Sequence, residues 1–547
     1  MFYKVIGAWF QPRLRVAVLA LLLVFSASLQ IAYSKPVPPS GPAHSFYLNC
    51  SAGHDGNGSK KSPWNSLASV NAFGFHAGDR LLIKRRTVCI GALTPKGSGT
   101  PEASIILDAY GSGSLPVING GTNEAALKLF NQQYWEINSL EIIGGTKYGV
   151  YVSGNIPNST ISHIYLRNLD VHGATYDSTK RADSGEVFIF PNGPGQVLND
   201  ILVDGIRAHD THVSQGIFVS AGGAWIEKPG VSQPLGNNIT VQNSTVHDVG
   251  GDGILIAELT NGLLQRNVVY RSGLCRKCTG STPVGLWEWY CHRCTIQYNE
   301  SYANESWDGD GGDFDIDYFN DDNIVQYNYG HDSAGYCIAF FGAGGRASHN
   351  NVFRFNVCSN NGRRPDLSRQ GEVFLHTWDD GSLDGVEIYN NTFYWNPAAN
   401  APAFNSADTV FSGNGSRIFE NNIIYSTVPD LIHTSNFTLD NNLYWTTASA
   451  SPTFHVNGVS YSNFSTYQTV TGQDVHSYYT DPKLVDSGYH TNGRPTTAFR
   501  LMPGSPAFNR GVDICKNANG CSMGSEDFWA HPLAGRHGYS IGADQAP

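Results

Sequence analysis

Short stretches in which apolar and polar residues alternate recur along most of the chain. Each recurring segment holds two such stretches on either side of an Asn or Asp, and successive segments are mostly 24 to 38 residues apart. Alternation with a period of two predicts β-strands, and a repeat of this length built only from strands predicts a solenoid. The segments begin at Tyr134, Ile164, Ile201, Ile239, Leu263, Thr295, Ile324, Val352, Val386, Ile418 and Phe437.

The residue between the two strands of each segment is nearly always asparagine. After Gly, Asn tolerates the left-handed backbone conformation of a sharp bend at the least cost, and stacked side-chain amides can hydrogen-bond from coil to coil. We therefore predict an asparagine ladder along the solenoid. Its predicted members are Asn138, Asn168, Asp204, Asn243, Asn267, Asn299, Asn328, Asn356, Asn391, Asn422 and Asn442.

A third strand follows a variable loop and a glycine in many of the coils. These glycines are Gly149, Gly185, Gly216, Gly253, Gly285, Gly312, Gly335 and Gly371. Three parallel strands per coil, one Asn bend and one variable loop resemble the right-handed parallel β-helix of the pectate-lyase superfold. The resemblance spans residues 45–547 and implies an all-β fold, a single-stranded right-handed parallel β-helix with an N-terminal cap helix and an irregular C-terminal cap. It leaves the reaction open, because the fold hosts lyases, hydrolases, epimerases and adhesins.

The chain divides into five predicted regions. Residues 1–34 carry three basic residues, an apolar run at 16–25 and then small residues, which predicts a secretory signal peptide and no membrane anchor in the mature chain. Residues 35–44 are a Pro-rich linker, and 45–130 form the N-terminal cap and first coils. That cap includes a short helix after Ser62-Pro63 that ends near Gly74. Residues 131–446 form the β-helix, and 447–547 the last coil and C-terminal cap.

Composition agrees with a secreted, monomeric glycoprotein. The formal net charge of −11 argues against a nucleic-acid partner, because such proteins bind through basic surfaces. All ten cysteines follow the predicted leader, as expected for an oxidising compartment. Sequons predict N-glycosylation at Asn57, Asn158, Asn238, Asn304, Asn414, Asn436 and Asn463.

Cysteine spacing suggests disulfides at both caps and beside one loop. We predict Cys50–Cys89 at the N-terminal cap and Cys515–Cys521 in the tail. The pairs Cys275-x2-Cys278 and Cys291-x2-Cys294 also allow a zinc site, but their short separation and the secreted context favour two disulfides that pin the 273–284 loop. Cys337 and Cys358 fall at inward positions of one coil and either bridge the lumen or remain thiols.

The third strand Asp313-Phe314-Asp315-Ile316-Asp317 shows which side chains face out. Because burying three charges in a dry solenoid interior costs too much, we predict that Phe314 and Ile316 point in and the aspartates point out. The same offset from the glycine turns Trp287 and Trp289 inward. It turns Glu258, Glu288, Tyr290, Tyr336 and His376 outward. Glu288 would then share a column with Asp315 on the next coil, and Glu258 and His376 would share the column of Asp317.

Carboxylates at this density predict acid–base chemistry. Like charges repel, so one member needs a raised pKa or the group needs a cation. A raised pKa beside an ionised carboxylate supplies the two groups of a glycosidase. The predicted catalytic set is Glu288, Asp313, Asp315 and Asp317. Polygalacturonase-like hydrolases carry catalytic aspartates on this strand, and Asp310-Gly-Gly-Asp313-Phe-Asp315 resembles their placement, although their Gly-His-Gly and Arg-Ile-Lys signatures are absent here.

Alternative roles for these carboxylates, and residues that would bind a sugar beside them, also follow from the sequence. A structural Ca²⁺ bound by Asp308, Asp310 and Asp313 is one alternative to catalysis, and solvated surface charge is another. Aromatic rings suit the apolar faces of sugars. The predicted substrate-binding set is Glu258, Tyr290, Trp307, His331, Tyr336, His376 and Trp378. Arginines 363, 364 and 369 either meet a uronate or belong to a solvated loop.

Three functions are compatible with these patterns. We expect a secreted glycoside hydrolase that acts on a polysaccharide or oligosaccharide and requires no cofactor. A Ca²⁺-dependent polysaccharide lyase or uronate epimerase is the first alternative, but it needs a base at C5, and no Lys or Arg occupies the outward strand positions. A non-catalytic glycan-binding or adhesion solenoid is the second.

Overall fold

The computed structural model describes residues 43–176, 183–212, 214–222, 234–276, 278, 282–307, 309–487, 495–516, 522–533 and 538–545. The predicted signal peptide and nearly all of the predicted linker lie outside these ranges. Within them, no helix is long and apolar enough to cross a membrane.

Strands that wind from coil to coil build three faces, and we number the faces by the order of their strands within a coil. The first face contains Ser45–Leu48, Arg80–Lys84, Ile105–Tyr110, Trp135–Asn138, Thr160–Arg167, Val197–Asp204, Gly236–Gln242, Leu263–Gln265, Thr295–Gln297, Ile324–Gln326, Ala347–Arg354, Ser382–Tyr389, Arg417–Glu420 and Thr438–Asp440. The second face contains Val88–Ile90, Val117–Asn119, Glu141–Ile143, Asp170–His172, Arg207–His209, Thr245–His247, Val268–Tyr270, Glu300–Tyr302, Tyr329–His331, Val357–Ser359, Thr392–Trp395, Ile423–Ser426, Leu443–Thr446 and Tyr478–Tyr479.

The third face carries the candidate site. It contains Ala125–Phe130, Tyr148–Gly154, Gly185–Pro191, Gln215–Ser220, Ile254–Thr260, Leu286–His292, Phe314–Ile316, Ile338–Gly342, Val373–Thr377, Phe404–Asn405, Asp430–Thr434, Thr453–Val456 and Val459–Tyr461. Strands pair in parallel with their counterparts on neighbouring coils, as in Leu286–His292 with Phe314–Ile316, and Val459–Tyr461 pairs antiparallel at the end. The predicted parallel β-helix is therefore confirmed.

Apolar side chains from all three faces fill the lumen. On adjacent coils these include Ile296 and Val325 from the first face and Leu286, Phe314 and Ile338 from the third, all fully buried. Each coil cannot bury these side chains alone, so stacking of coils supplies the hydrophobic stabilisation.

The asparagine ladder forms over the later coils. The side-chain oxygen of Asn299 accepts from Asn267, and the same contact repeats through Asn328, Asn356, Asn391, Asn422 and Asn442. For the ladder asparagines the predicted reason is wrong, because the left-handed residue is the one before each of them, for example Arg266, Tyr298 or Tyr327. Asn168 and Asn243 do have the predicted left-handed conformation, and Asn243 donates to Asp204 on the preceding coil over 2.8 Å, but neither belongs to the ladder. Ladder asparagines are selected because they satisfy buried backbone groups at the bend.

Helices close or flank the ends of the solenoid. The N-terminal helix Leu67–Ala72 begins after Ser66, whose hydroxyl accepts from the Ser69 amide, and it buries Leu67 and Val70. This confirms the cap helix, which starts later than the Ser62-Pro63 signal suggests. In the C-terminal region, Phe464–Thr471 is an α-helix that ends at the left-handed Gly472, and Thr496–Phe499 is a 3-10 helix.

Three disulfides join described cysteines. Cys50–Cys89 ties the N-terminal cap, Cys275–Cys278 closes a short loop and Cys337–Cys358 bridges the lumen. Cys515 is also oxidised, and Cys521 lies outside the described residues. The prediction of a second disulfide from the two Cys-x2-Cys pairs is wrong, since Cys291 and Cys294 are buried free thiols.

Candidate active site

Asp315 is the central carboxylate of the third face. It pairs with Trp287 on the preceding coil and with Ala339 on the following one, and Ala339 pairs with Phe374. Phe314 and Ile316, its neighbours along the strand, point into the lumen as predicted. The Asp315 side chain therefore points outward, yet it is only 2% exposed, since aromatic side chains surround it.

Tyr336 and a buried ion pair lie next to Asp315. The Tyr336 hydroxyl donates to Asp315 Oδ2 over 3.4 Å, and Arg369 pairs with Asp310. A Cβ on Gly312 would lie 2.1 Å from the Tyr336 ring, so glycine is required there for the ring to lie across the strand. Gly312 thus serves the placement of Tyr336.

Burial raises the pKa of Asp315 well above its usual range, and the nearby carboxylates of Asp317 and Asp310 raise it further. Burial also raises the pKa of Asp310, although Arg369 opposes the shift. Arg369 stays protonated, since Asp310 raises its pKa against the effect of burial. At neutral pH, Asp315 is the carboxyl group of this trio best suited to hold a proton.

Asp317 is the second outward carboxylate. It follows Ile316, and because Ile316 pairs with Glu288 and Phe340, Asp317 lies level with Trp289 and Phe341. Its Oδ1 accepts from the Tyr318 amide over 2.9 Å, and the side chain is partly exposed. Alternate residues of a strand are roughly 6.5–7 Å apart, so two such carboxyl groups can flank one glycosidic bond.

Aromatic rings line the remainder of this site. Arg369 lies 4.9 Å from the ring centre of Phe341 and 5.8 Å from that of Trp378. His376 stacks on Trp378 at 5.9 Å, and it lies in the column of Asp317, as predicted. Burial and the nearby Arg369 lower the pKa of His376, which keeps the imidazole neutral.

Two members of the predicted catalytic set face the lumen. Glu288 pairs with Ile316 in register, so its side chain lies inside with both oxygens unpaired. Asp313 is also inside, where its carboxylate accepts from Ser333 over 2.6 Å and from Asn304 over 3.1 Å. The outward assignment of Glu288 is wrong because Asp313, and not Gly312, is level with Gly285, and a shift of one residue moves a side chain to the other face. Asp313 precedes the strand Phe314–Ile316, so its side chain does not follow the alternation that keeps Asp315 outside.

The same shift corrects the two tryptophans. Trp287 and Trp289 lie in the outer aromatic cluster and not in the lumen. The predicted Ca²⁺ ligands Asp310 and Asp313 sit on opposite sides of the strand, so they do not form one ligand set. Asp308 lies outside the described residues.

Glu258 and Tyr290 mark the upstream end of the site. Both have left-handed backbone conformations, and they are level with one another, so Glu258 is displaced by one residue from the predicted column of Asp317. Glu258 Oε2 accepts from the Ser220 hydroxyl over 2.5 Å, and burial raises its pKa to about 7. Tyr290 is 8% exposed and packs against Phe319.

His331 belongs to the second face and not to the site. Its ring stacks on Tyr302 at 4.8 Å, in a row that continues through Tyr270, His247, His209 and His172. Burial opposes its charge, but hydrogen bonds with Asp332 and Glu300 raise its pKa to about 9. The recurring His-Asp pairs therefore have a structural role on that face.

Trp307 lines a separate cavity beside the loop that leads into Asp310. The cavity has a volume of about 560 Å³, and Trp307 is 43% exposed. Its other polar or charged lining residues are Arg271, Arg276, Glu305, Ser306 and Arg364.

The structure excludes one of the predicted glycosylation sites. Asn304 is 1% exposed and hydrogen-bonded to Asp313, so it cannot carry the predicted glycan. The other six predicted glycosylation sites are exposed.

Two residues of the site, Arg369 and Trp287, have only weak signals in the sequence. Arg369 is 59 residues away from Asp310, and only the folding of its loop brings the two together. Trp287 was hidden by the wrong register. A count of residues back from the first lumen residue, and not from the glycine, would have placed it on the outer face.

Comparison with known proteins supports the fold. A family described as "Right handed beta helix region" matches residues 212–393. A lacto-N-biosidase of Bifidobacterium longum subsp. longum is 25% identical over 602 aligned positions, covering 90% of this chain but only 36% of that protein. The chain thus spans about a third of the length of this relative.

Solved structures show the same architecture. The GH136 lacto-N-biosidase from Eubacterium ramulus is 18% identical, with a TM-score of 0.52 over 76% of this chain and 68% of the other; its native form gives 0.50 over the same shares. The chain is therefore a right-handed parallel β-helix protein.

Proposed function

We propose that this protein is a secreted glycoside hydrolase that acts on an oligosaccharide or polysaccharide at the third face. The observation that carries this proposal is the placement of Asp315, a buried outward carboxyl group with a raised pKa, beside the partly exposed Asp317. The names of the relatives support a glycosidase and make lacto-N-biosides the first substrates to test.

Asp315 acts as the general acid in this proposal. It donates its proton to the glycosidic oxygen, and the leaving group departs as an alcohol. Asp317 acts as the general base: it accepts a proton from the water whose oxygen bonds to the anomeric carbon while the bond from that carbon to the leaving oxygen breaks. The Asp310–Arg369 ion pair and the Tyr336 hydroxyl are positioning groups. Tyr336 orients the Asp315 carboxyl group by a hydrogen bond, and the ion pair sets the charge beside it.

Sugar contacts follow from the aromatic rings. Trp378 is partly exposed at the end of the Asp315 site, and Trp307 offers a second ring in the neighbouring 560 Å³ cavity. A cavity of this size accommodates one or two pyranose rings. We infer that Trp307 forms an outer subsite for the substrate.

A lyase or epimerase has less support. Proton abstraction at C5 needs a neutral base. Arg369 is held protonated by Asp310 and the phenol of Tyr336 has a strongly raised pKa, so His376, whose lowered pKa keeps its imidazole neutral, is the group of this site that a lyase would use. A glycan-binding solenoid without catalysis does not require a buried carboxyl group with a raised pKa. The test below separates these functions.

Further properties belong to the same proposal. The protein acts as a monomer without a cofactor, nucleic-acid partner or membrane anchor in the mature chain, and it carries glycans at exposed sequons. Its disulfides agree with an oxidising compartment. Expression in a eukaryotic host that secretes the protein tests two of these properties. Intact-protein mass spectrometry would show whether the leader is removed and whether glycans add to the mass.

Asp315→Asn tests the catalytic assignment. We expect a 10²- to 10⁴-fold loss of kcat, roughly the contribution of a general acid, with aryl glycosides and a polysaccharide panel followed by reducing ends. Asp380→Asn, at an exposed position, is the matched control and keeps full activity. Glu288→Gln also keeps activity, because Glu288 faces the lumen. Full activity of Asp315→Asn would refute the site, whereas absorbance of unsaturated uronides would indicate a lyase.

A further inference from the structure

Three potential metal ligands converge inside the lumen, away from the proposed site. Glu288 and Cys291 belong to the third-face strand Leu286–His292, and Cys294 precedes the first-face strand Thr295–Gln297. At most 1% of each residue is exposed. One carboxylate oxygen and both sulfurs all lie within 4.8 Å of one another.

Glu288 differs from the other lumen carboxylates of the described chain. Asp313 accepts from Ser333, Glu372 from Asn361, and Glu186 from the Ala174 amide over 2.8 Å. By contrast, neither oxygen of Glu288 has a hydrogen-bond partner. Buried polar groups in folded proteins are nearly always satisfied, so a carboxyl group whose two oxygens both lack a partner, next to two thiols, indicates a missing ligand.

The two thiols are exceptional in their oxidation state. The described cysteines other than Cys291 and Cys294 are all oxidised, as expected for a secreted protein. Metal coordination would protect a close thiol pair from oxidation, because the thiolates would be occupied as ligands.

We propose that Glu288, Cys291 and Cys294 bind a Zn²⁺ ion in the lumen. Thiolate and carboxylate donors suit Zn²⁺, with bonds of about 2.3 Å to sulfur and 2.0–2.2 Å to oxygen, and a triangle of this size can surround one ion. The ion binds while the coils close, since the lumen is sealed, and it stabilises the folded chain. This role does not depend on glycosidase activity.

The test combines metal analysis with thiol titration on the unmodified mature protein. We expect about one zinc per chain after dialysis against chelator, and two thiols that react only after denaturation. Replacement of zinc by Co²⁺ during refolding should produce a cobalt–thiolate charge-transfer band. Two thiols without zinc, or zinc-free protein in which both sulfurs are oxidised, would overturn the proposal.

Variants locate the ligands. Cys291→Ser, Cys294→Ser and Glu288→Gln should each reduce zinc to background in protein whose circular dichroism shows folded coils. Glu186→Gln is the matched control, because it changes a lumen carboxylate that has no cysteine beside it, and it should retain zinc. Retention of zinc by all three ligand variants would also overturn the proposal, whatever their hydrolytic activity.

Discussion

Asn328→Ala removes a central rung of the asparagine ladder. The Asn328 amide nitrogen donates to the carbonyls of Ile296 and Gln326, each over 2.9 Å. Its Oδ1 accepts from the backbone and side-chain nitrogens of Asn299 over 2.9 and 3.0 Å. Alanine removes all of these contacts and leaves the Asn299 amide without its acceptor.

The size of the effect follows from complete burial. Asn328 is 0% exposed, and Asn299 is 2% exposed, so water cannot replace the lost partners. The two hydrogen bonds that Asn328 donates to carbonyls contribute about 1 kcal/mol each, and the Asn299 backbone N–H left buried without an acceptor costs about 1–3 kcal/mol. The Asn299 side-chain nitrogen keeps the Leu264 carbonyl as its acceptor, so the expected loss in the free energy of unfolding is about 3–5 kcal/mol.

Guanidinium unfolding followed by circular dichroism measures this loss. Asn414→Ala is the control, because Asn414 is exposed, and its free energy of unfolding should change by less than about 0.5 kcal/mol. If Asn328→Ala and Asn414→Ala unfold at the same denaturant concentration, the ladder does not stabilise the coils and the reasoning fails.

Three further predictions test the lumen and the site. Burial raises the pKa of Glu186 to about 8, so the folded state keeps a proton that the unfolded chain releases near its ordinary pKa, and stability falls as pH rises through this window. Glu186→Gln should reduce the fall in stability between pH 5 and pH 8.5, measured by urea unfolding, to which Glu258 and Glu420 also contribute. An equal fall in both proteins would contradict the prediction. Loss of the Cys337–Cys358 bridge, which spans 21 residues, should lower stability by about 3 kcal/mol by guanidinium unfolding, and a loss below about 1 kcal/mol would not fit. Gly312→Ala should displace Tyr336 and lower kcat/KM about tenfold or more, and unchanged kinetics would remove Tyr336 from the site.

Much of the fold follows from local patterns. The period-two alternation of Phe314, Asp315 and Ile316 determines which of them face the lumen, because charge burial costs far more than exposure. The Asn positions from Asn267 onward predict the ladder, since each sits at the same bend of a repeat. These inferences need only residues close together in sequence.

The candidate site was predicted in part. The outer face holds Asp315, Asp317 and His376, as predicted. Glu288 does not lie there, since its orientation depends on how two coils align and not on its own strand. Arg369 lies on a loop 59 residues from Asp310, and no spacing rule links them.

The sequence by itself determined the solenoid, its bends and the outward face of the Asp315 strand, because each depends on a repeating local alternation. Only the tertiary structure decided the register between coils and the partners that loops deliver. The physical reason is the two-residue period of a strand, because a shift of a single residue between coils moves a side chain from the surface to the lumen. Glu288 therefore lies in the lumen beside two cysteines, and not on the outer face beside Asp315.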